Sequence, residues 1–228
     1  MMAAAVNPNP NPIGCDTPVI MSQPGGQHAM TSSPAGDQIP LIWGDMSPPS
    51  PLPPPPSAPA HRRVPSSVLL AHVDVFLKHL YPIMPVFEVN SVLLDCANPE
   101  NLLPRRYAYL VGLCAATHYQ LNLSCNHELV PAGTPVRSGE ELHAETMRTL
   151  REFDPLEGVN MDTLMTSFFL FMVHGNQDKQ GHAWHYLSQS IAFAVMLGLD
   201  KEEAYATMHP LEADMGRRIY WMLFVTER

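Results

Sequence analysis

Residues 161–173 read MDTLMTSFFLFMV and hold three phenylalanines, three methionines and two leucines in 13 positions. Apolar side chains occur on every side of a 3.6-residue helix that starts near Asn160, so neighbours should cover this helix all round. A membrane-spanning helix needs ~20 residues, and this run is shorter and includes Asp162. We therefore expect the central, buried helix of a bundle and no membrane span, with Gly175 ending the helix in a left-handed turn.

Helical periodicity continues on both sides of this stretch and predicts about seven helices. The first runs from Ser66 to Pro82, and its inward side chains are Leu69, Val73, Phe76, Leu77 and Leu80. Pro82 and Pro85 make residues 81–87 an extended, kinked segment, which a short helix over residues 91–96 follows. The third helix starts at Pro104 and runs to about Gln120. Its buried face is predicted to hold Tyr107, Leu110, Val111, Cys114, Ala115 and His118.

The remaining helices follow a loop over residues 122–133. Ser138-x-x-Glu141 is a capping-box pattern and predicts a fourth helix with Leu142, Thr146, Leu150 and Phe153 along one side. The sixth helix runs from about Asp178 to Leu197 and ends at Gly198, with Trp184, Leu187, Ile191, Ala194 and Val195 predicted to point inward. The seventh starts at Pro210 and continues to Arg228. No strand alternation is visible, so the fold class is all-α, an irregular bundle of about seven helices.

The first 65 residues differ in composition from the rest of the chain. They contain 16 of the 24 prolines and a single aromatic residue, Trp43, whereas residues 66–228 contain the other 17 aromatic residues. Such a stretch cannot bury enough apolar surface to offset its chain entropy. We predict a disordered, Pro-rich arm over residues 1–65, with the polyproline run at residues 48–56 as a stiff spacer, and one folded domain over residues 66–228.

The charge balance argues against direct binding to nucleic acid. The chain carries 13 basic and 22 acidic residues, and residues after 66 carry 11 basic against 19 acidic. Phosphate binding needs a basic face, and none is visible. Arg217 and Arg218, beside Tyr220 and Trp221, are better explained by pairing with nearby acids such as Asp214, four residues before Arg218.

Metal and catalytic motifs are weak. The four cysteines show no C-x-x-C pair, and neither Cys114 with His118 nor His182 with His185 supplies the three or four ligands of a zinc site. His185 lies near Ser188 and Ser190 but has no orienting acid, and no phosphate-binding glycine loop is present. Phe168, Phe169 and Phe171 are expected to pack in the core rather than wall a ligand pocket. We therefore expect no enzyme, no metal and no cofactor.

The last predicted helix is apolar on all sides near its end. Residues 219–225 read IYWMLFV, three residues before the end of the chain, and no later helix follows to cover them. Burying each large apolar side chain stabilises a protein by ~1.5–3 kcal/mol, so leaving several exposed is unfavourable. We expect the chain to be cut short, or this surface to need a partner. The residues predicted to form this partner or intramolecular helix interface are Ile219, Trp221, Met222, Phe224 and Val225.

Three stretches together carry a family resemblance. They are HLYPIMPVF at residues 79–87, the region from LMTSFFLF at residues 164–171 through AWHYL at 183–187 to LGL at 197–199, and EADMGRRIYWMLF at residues 212–224. Their order and spacing resemble the middle homology region of fungal binuclear zinc-cluster transcription factors, over roughly residues 70–228. The tail FVTER at residues 224–228 is most similar to the regulators of carbohydrate utilisation in that family.

This resemblance implies an all-helical regulatory domain in the nucleus, which controls RNA polymerase II transcription of metabolic or biosynthetic genes without catalysis. In the family this domain is joined to a zinc cluster that reads CGG triplets. The six-cysteine cluster is absent here and the later helices of the regulatory domain are missing, so no DNA-contact residue is assigned and DNA would be reached only indirectly. The expected partners are a full-length regulator or the transcription machinery. A helical domain that senses a small-molecule effector, and a fragment without function, stay open as alternatives.

Overall fold

The computed structural model describes residues 63–130, 132–133 and 137–228. This part of the chain contains eight α-helices and no strand, which confirms the predicted all-α fold. The helices are α1 (Ser66–His79), α2 (Val89–Ala97), α3 (Pro104–Gln120), α4 (Gly139–Leu150), α5 (Met161–Asn176), α6 (Gln180–Met196), α7 (Glu202–Tyr205) and α8 (Pro210–Glu227). Residues 1–62 of the predicted arm, including its polyproline run, lie outside the described residues.

All seven predicted helices are present, and α7 is an additional short helix between the last two. The predicted loop after α3 contains a 3-10 turn, His127–Leu129, and a second 3-10 turn, Pro99–Asn101, joins α2 to α3. None of the helices in the described part of the chain combines the length and hydropathy that a membrane crossing requires.

Helix α3 is the centre of the bundle. Twelve consecutive residues, from Tyr107 to His118, are buried, and the helix packs against α1, α2, α4 and α5. A β-carbon added to Gly112 would lie 3.6 Å from Thr146 on α4 and 3.8 Å from Phe169 on α5, so both helices reach the α3 backbone. Helix α5 is buried as predicted but lies between α3 and α6, so the prediction that α5 is central is corrected in favour of α3.

The predicted helix ends are partly confirmed. The capping box of Ser138 and Glu141 opens α4, and Gly198, with a φ of 72°, follows the end of α6. The prediction for Gly175 was wrong, because α5 continues through Asn176 and the left-handed residue after it is Asp178, with a φ of 57°. Aspartate tolerates this conformation better than most residues with a β-carbon.

The predicted inward face of α6 needs a correction. Leu187 and Ala194 are buried, but Trp184 and Val195 have exposed fractions of 56% and 52%. The buried residues of α6 lie along one face of the helix, and they are Ala183, Leu187, Ser190, Phe193 and Ala194. Trp184 directly follows Ala183 and Val195 directly follows Ala194, so both side chains point away from the buried face.

The residues before α1 are tied to the bundle by polar contacts. The Arg63 guanidinium donates to the Leu102 carbonyl at 2.8 Å and lies 4.3 Å from the centre of the Tyr107 ring. The fully buried Val64 donates its N–H to the Tyr107 hydroxyl at 2.8 Å. That hydroxyl donates to the buried carboxylate of Glu145, which accepts two further bonds from Arg148 at 2.8 and 2.9 Å. Ordered packing therefore begins by residue 63.

Candidate functional site

A long cleft separates α8 from the segment that joins α1 to α2. Residues 81–89 form one wall, α8 forms the other, and α5 supplies the floor. The cleft has three compartments of about 480, 570 and 190 Å³, which we call the outer groove, the acidic end and the inner pocket. Neighbouring compartments share lining residues, so we treat them as one α8 cleft.

The outer groove brings together all three sequence stretches that carry the family resemblance. Ile83, Met84, Pro85 and Val86 come from the first stretch, Phe168 from the second, and Arg218, Trp221 and Met222 from the third; Val225 and Thr226 complete the lining. Ile83 has an exposed fraction of 83%, Trp221 of 65% and Val225 of 58%. Large apolar side chains on both walls of one groove are typical of a docking surface.

Packing at both ends holds the first wall in place. Phe87 is buried, and its ring lies 5.2 Å from the rings of both Phe76 and Tyr81, measured between centroids. The Tyr81 hydroxyl donates to the Phe87 carbonyl at 3.1 Å and closes the segment into a loop. Because the two ends are anchored inward, Ile83 at the tip of the loop cannot reach the core.

The second wall, α8, is seated by a narrow buried stripe. Its buried residues are Ala213, Gly216, Ile219 and Leu223. A β-carbon on Gly216 would lie 3.1 Å from the Tyr205 ring and 3.2 Å from the Met161 methyl group, so only glycine fits without a shift of these neighbours. This close approach fixes the rotation of α8 and leaves Trp221 and Val225 facing solvent. Trp221 stacks on Phe224 at 5.5 Å between ring centroids.

The acidic end lies beside the first turns of α8. Glu88, Glu212 and Asp214 line it, together with Leu211 and Arg218. Arg218 forms an ion pair with Asp214 at 2.5 Å, and Glu88 caps α2 by accepting from the N–H groups of Asn90 and Ser91. Of these three acids, Asp214 is ion-paired and Glu88 caps a helix, which leaves Glu212 as the exposed acid at this end of the cleft.

The inner pocket holds a guanidinium in which each nitrogen already donates a hydrogen bond to a protein side chain. Arg106 donates at 2.7 Å to both Asp95 and Asp162, and at 3.1 Å to the Ser91 hydroxyl. The same group lies 4.7 Å from the centre of the Tyr109 ring, and burial raises the pKa of Tyr109. Tyr109 therefore stays neutral, and Arg106 serves as a structural cross-link among α2, α3 and α5.

The five predicted interface residues occupy different environments. Ile219 is buried inside the bundle, Met222 and Phe224 are half-buried, and Trp221 and Val225 are exposed. Sequence reasoning missed Ile83 and Leu211, which lie on opposite walls of the cleft. The sequence does contain a signal for Ile83, which is an apolar residue between two prolines. A tight turn of this kind has no inner face in which the side chain could be buried.

The two residue pairs that were considered for metal binding and set aside lie in different surroundings. Cys114 is buried, and burial raises the pKa of its thiol well above the ordinary value, while His118 forms a 2.9 Å hydrogen bond with Ser124. His182 and His185 are exposed on α6. Within the described ranges no group of three or more ligand side chains could hold a metal ion.

Histidine rings cluster elsewhere, between α4, α5 and α6. His174 lies 4.9 Å from His143 and 5.2 Å from His182, and stacks on Tyr186 at 5.3 Å. Burial, followed by the neighbouring His143, His182 and Lys179, lowers the pKa of His174 to about 4. A hydrogen bond with Gln177 acts in the opposite direction but is the smallest of these effects. The imidazole is thus neutral at physiological pH and packs as a ring.

The remaining predicted groups have structural environments. Phe169 is buried beside Tyr109, and Phe168 is the phenylalanine that reaches the outer groove. Arg218 pairs with Asp214 as predicted, whereas Arg217 pairs with Glu202 at 2.5 Å. Both arginines are therefore neutralised by acids. Ser190 is buried and donates to the Leu164 carbonyl at 3.2 Å, while Ser188 is exposed.

Comparisons with known proteins find fungal regulators. The chain is 27% identical over 169 residues to the maltose fermentation regulatory protein MAL33 of Saccharomyces cerevisiae, covering 73% of this chain and 34% of the relative. It is 30% identical over 160 residues to a Candida albicans protein named "Probable sucrose utilization protein SUC1", covering 68% and 30%. It is 24% identical over 168 residues to the respiratory transcription factor ZNF1 of S. cerevisiae, covering 73% and 35%.

These matches show distant homology to fungal zinc-cluster (Zn2Cys6) transcription regulators, which confirms the resemblance seen in the sequence. The chain spans about a third of the length of these relatives. No family model matches the chain. No solved structure matches it.

Proposed function

We propose, from the premise that this chain is a distant homologue of fungal zinc-cluster transcription regulators, that it is a regulatory module for transcription by RNA polymerase II. In this proposal residues 66–228 act as a non-catalytic control domain in the nucleus, residues 1–65 act as a Pro-rich arm, and the target genes belong to metabolic pathways. The names of the relatives, which refer to maltose, sucrose and respiration, support the metabolic assignment.

One observation carries the proposal. The three stretches that resemble the family lie far apart in the sequence, yet they line the same outer groove, and three large apolar side chains on its walls face solvent. Exposure of these side chains leaves apolar surface in contact with water, which is unfavourable. Packing of the bundle alone therefore does not account for it. Protein contact through the α8 cleft, rather than chemistry, is therefore the activity that the geometry supports best.

The test tethers the full chain to a reporter gene. The chain is fused to an unrelated sequence-specific DNA-binding protein in fungal cells, and reporter transcription is measured against the DNA-binding protein alone. We expect transcription to change severalfold, and the double variant Trp221→Ala/Val225→Ala to remove most of that change. The matched control is Leu156→Ala, which removes an exposed apolar side chain that does not line the cleft. The proposal would be contradicted if the fusion left reporter transcription unchanged, or if the double variant changed transcription as much as the unsubstituted chain does.

A second candidate function, sensing of a small molecule, would place the ligand in the inner pocket. Its volume of about 190 Å³ would hold a compact ligand beside Met161, Met165 and Met215. A ligand at 100 times its dissociation constant stabilises a protein by ~2.7 kcal/mol, so thermal unfolding of the purified chain against a panel of sugars tests this function. We expect no shift, because every guanidinium nitrogen of Arg106 already donates a hydrogen bond to a protein side chain.

A further inference from the structure

The α8 cleft has properties that specify the kind of partner it accepts. We propose that its occupant is an amphipathic helix of a partner protein, with an apolar face along its length and basic residues at one end. This inference rests on the proposed function, because it names the partner class of the same cleft.

The walls of the cleft favour a helix over an extended peptide. One wall is a helix and the other is a looped segment, and the described part of the chain contains no strand whose edge an extended peptide could join. The lining of α8 extends from Leu211 to Thr226, which at 1.5 Å per residue is about 22 Å. A helix of about 15 residues, or four turns, would fill that length.

The lining is rich in methionine. The methionines on the walls and floor are Met84, Met161, Met165, Met215 and Met222. Unbranched thioether side chains adjust to irregular apolar shapes, and this property is common in surfaces that receive helices. Trp221 and Ile83 stand at the rim on opposite sides and would clamp the apolar face of the incoming helix.

The acidic residues of the cleft lie at one end of it. At the acidic end Asp214 is paired with Arg218, and Glu88 caps α2, so Glu212 is the acid that is left to pair with a partner. In the outer groove Arg218 is the single charged residue of the lining. A partner with a basic residue near Glu212, and apolar residues elsewhere, is complementary to this pattern. An acidic helix, or a phosphate backbone, would instead meet the Glu212 carboxylate without a compensating charge.

The binding test uses designed peptides and the full chain. The probe is a fluorescently labelled helical peptide of about 15 residues with leucines at i, i+4, i+7 and i+11 and lysines in one terminal turn. Two matched peptides replace the lysines with glutamates or scramble the leucine positions. Fluorescence anisotropy at low ionic strength measures each affinity. We expect the lysine peptide to bind most tightly and the scrambled peptide to lose binding.

Variants of the chain locate the site. Trp221→Ala/Val225→Ala should weaken the binding of the lysine peptide by about thirtyfold, as for loss of two apolar side chains that the partner helix would bury. Glu212→Lys should weaken it roughly threefold and strengthen the glutamate peptide, because exposed ion pairs contribute little. Glu128→Lys is the matched charge control, since Glu128 is exposed on the 3-10 turn after α3 and does not line the cleft. An equal effect of both charge variants would overturn the charge assignment.

Two other outcomes would overturn the proposal of a helical partner. One is self-association: sedimentation showing a dimer of the chain that Trp221→Ala/Val225→Ala converts to a monomer would make a second copy the occupant. The other is equal affinity for the lysine and scrambled peptides. A reporter response without peptide binding would leave the proposed function standing and reject the helical partner. Peptide binding without a reporter response would reject the function alone.

Discussion

Helices α3 and α8 are of similar length and both contain long apolar runs, but their surroundings differ. Helix α3 buries twelve consecutive residues beneath α1, α2, α4 and α5. Helix α8 has 18 residues and buries four of them, and this one stripe packs against α6 and against Met161 and Tyr205. The contrast shows that stability is concentrated around α3, while α8 presents apolar surface that the described part of the chain does not cover. Substitutions on the two helices and their neighbours should separate stability from binding.

The largest expected effect comes from the packing around α3. Phe169 on α5 is fully buried, lies 5.7 Å from the Tyr109 ring and approaches the backbone of Gly112. Phe169→Ala should lower the free energy of unfolding by ~3–5 kcal/mol, since it removes buried area and leaves a cavity. Urea unfolding measures the loss. Phe224→Ala on α8, where the ring is half-buried, is the matched control and should cost less than ~1.5 kcal/mol. Equal losses would remove the distinction between the two regions.

The next effect tests the polar contacts around α3. Glu145 is buried and accepts bonds from the Tyr107 hydroxyl and from Arg148. Glu145→Ala leaves these donors without their acceptor, and because Arg148 is partly exposed to water we expect a loss of ~2–3 kcal/mol. Chemical denaturation with the matched variant Glu152→Ala separates burial from charge. Glu152 pairs with the same arginine at the surface and should contribute less than ~1 kcal/mol.

Hydrophobic periodicity and the residues that begin and end helices predicted the fold, because both are local properties of the sequence. The capping box at Ser138 and the left-handed Gly198 follow from backbone chemistry within a few residues. The inward face of α6 was mispredicted because apolar residues occur on several of its sides, so only its neighbours decide that Leu187 is buried and Trp184 is not. The predicted end at Gly175 failed for a similar reason, since Asp178 can adopt the same conformation.

The cleft itself could not be predicted from the sequence. Its walls come from residues 81–89 and from α8, more than 120 residues apart, and the exposure of Trp221 depends on how closely Gly216 seats α8 against Tyr205. The sequence did indicate that the apolar residues near the chain end needed cover. It could not show that Ile219 lies inward, or that Ile83 faces Trp221 across the groove.

A third prediction concerns pH. The pKa of His174 is lowered to about 4 in the folded chain, below the ~6.5 of an unfolded histidine. The unfolded state therefore binds the proton first, so the stabilisation is complete above pH ~6.5 and is lost as the pH falls towards 4. Between pH 7 and pH 5 we expect this residue to account for a loss on the order of 2 kcal/mol.

Unfolding experiments at several pH values check this expectation. His174→Gln should reduce the proton uptake on unfolding near pH 5 by about one proton. The affected region is the histidine cluster between α4, α5 and α6, away from the cleft. An identical pH dependence for His174→Gln and the unsubstituted chain would show that His174 is not held neutral by its surroundings.

The smallest expected effect is also the sharpest test of the contrast between α3 and α8. Trp221 is the largest exposed apolar side chain on α8, and its indole contacts Phe224 rather than the core. Trp221→Ala should change the free energy of unfolding by less than ~0.5 kcal/mol, because alanine favours the helix and little buried area is lost. A loss above ~2 kcal/mol would mean that Trp221 is part of the packed core in solution. In that event α8 would belong with α3 as a stabilising element, and the cleft could not be the free surface on which the regulatory role depends.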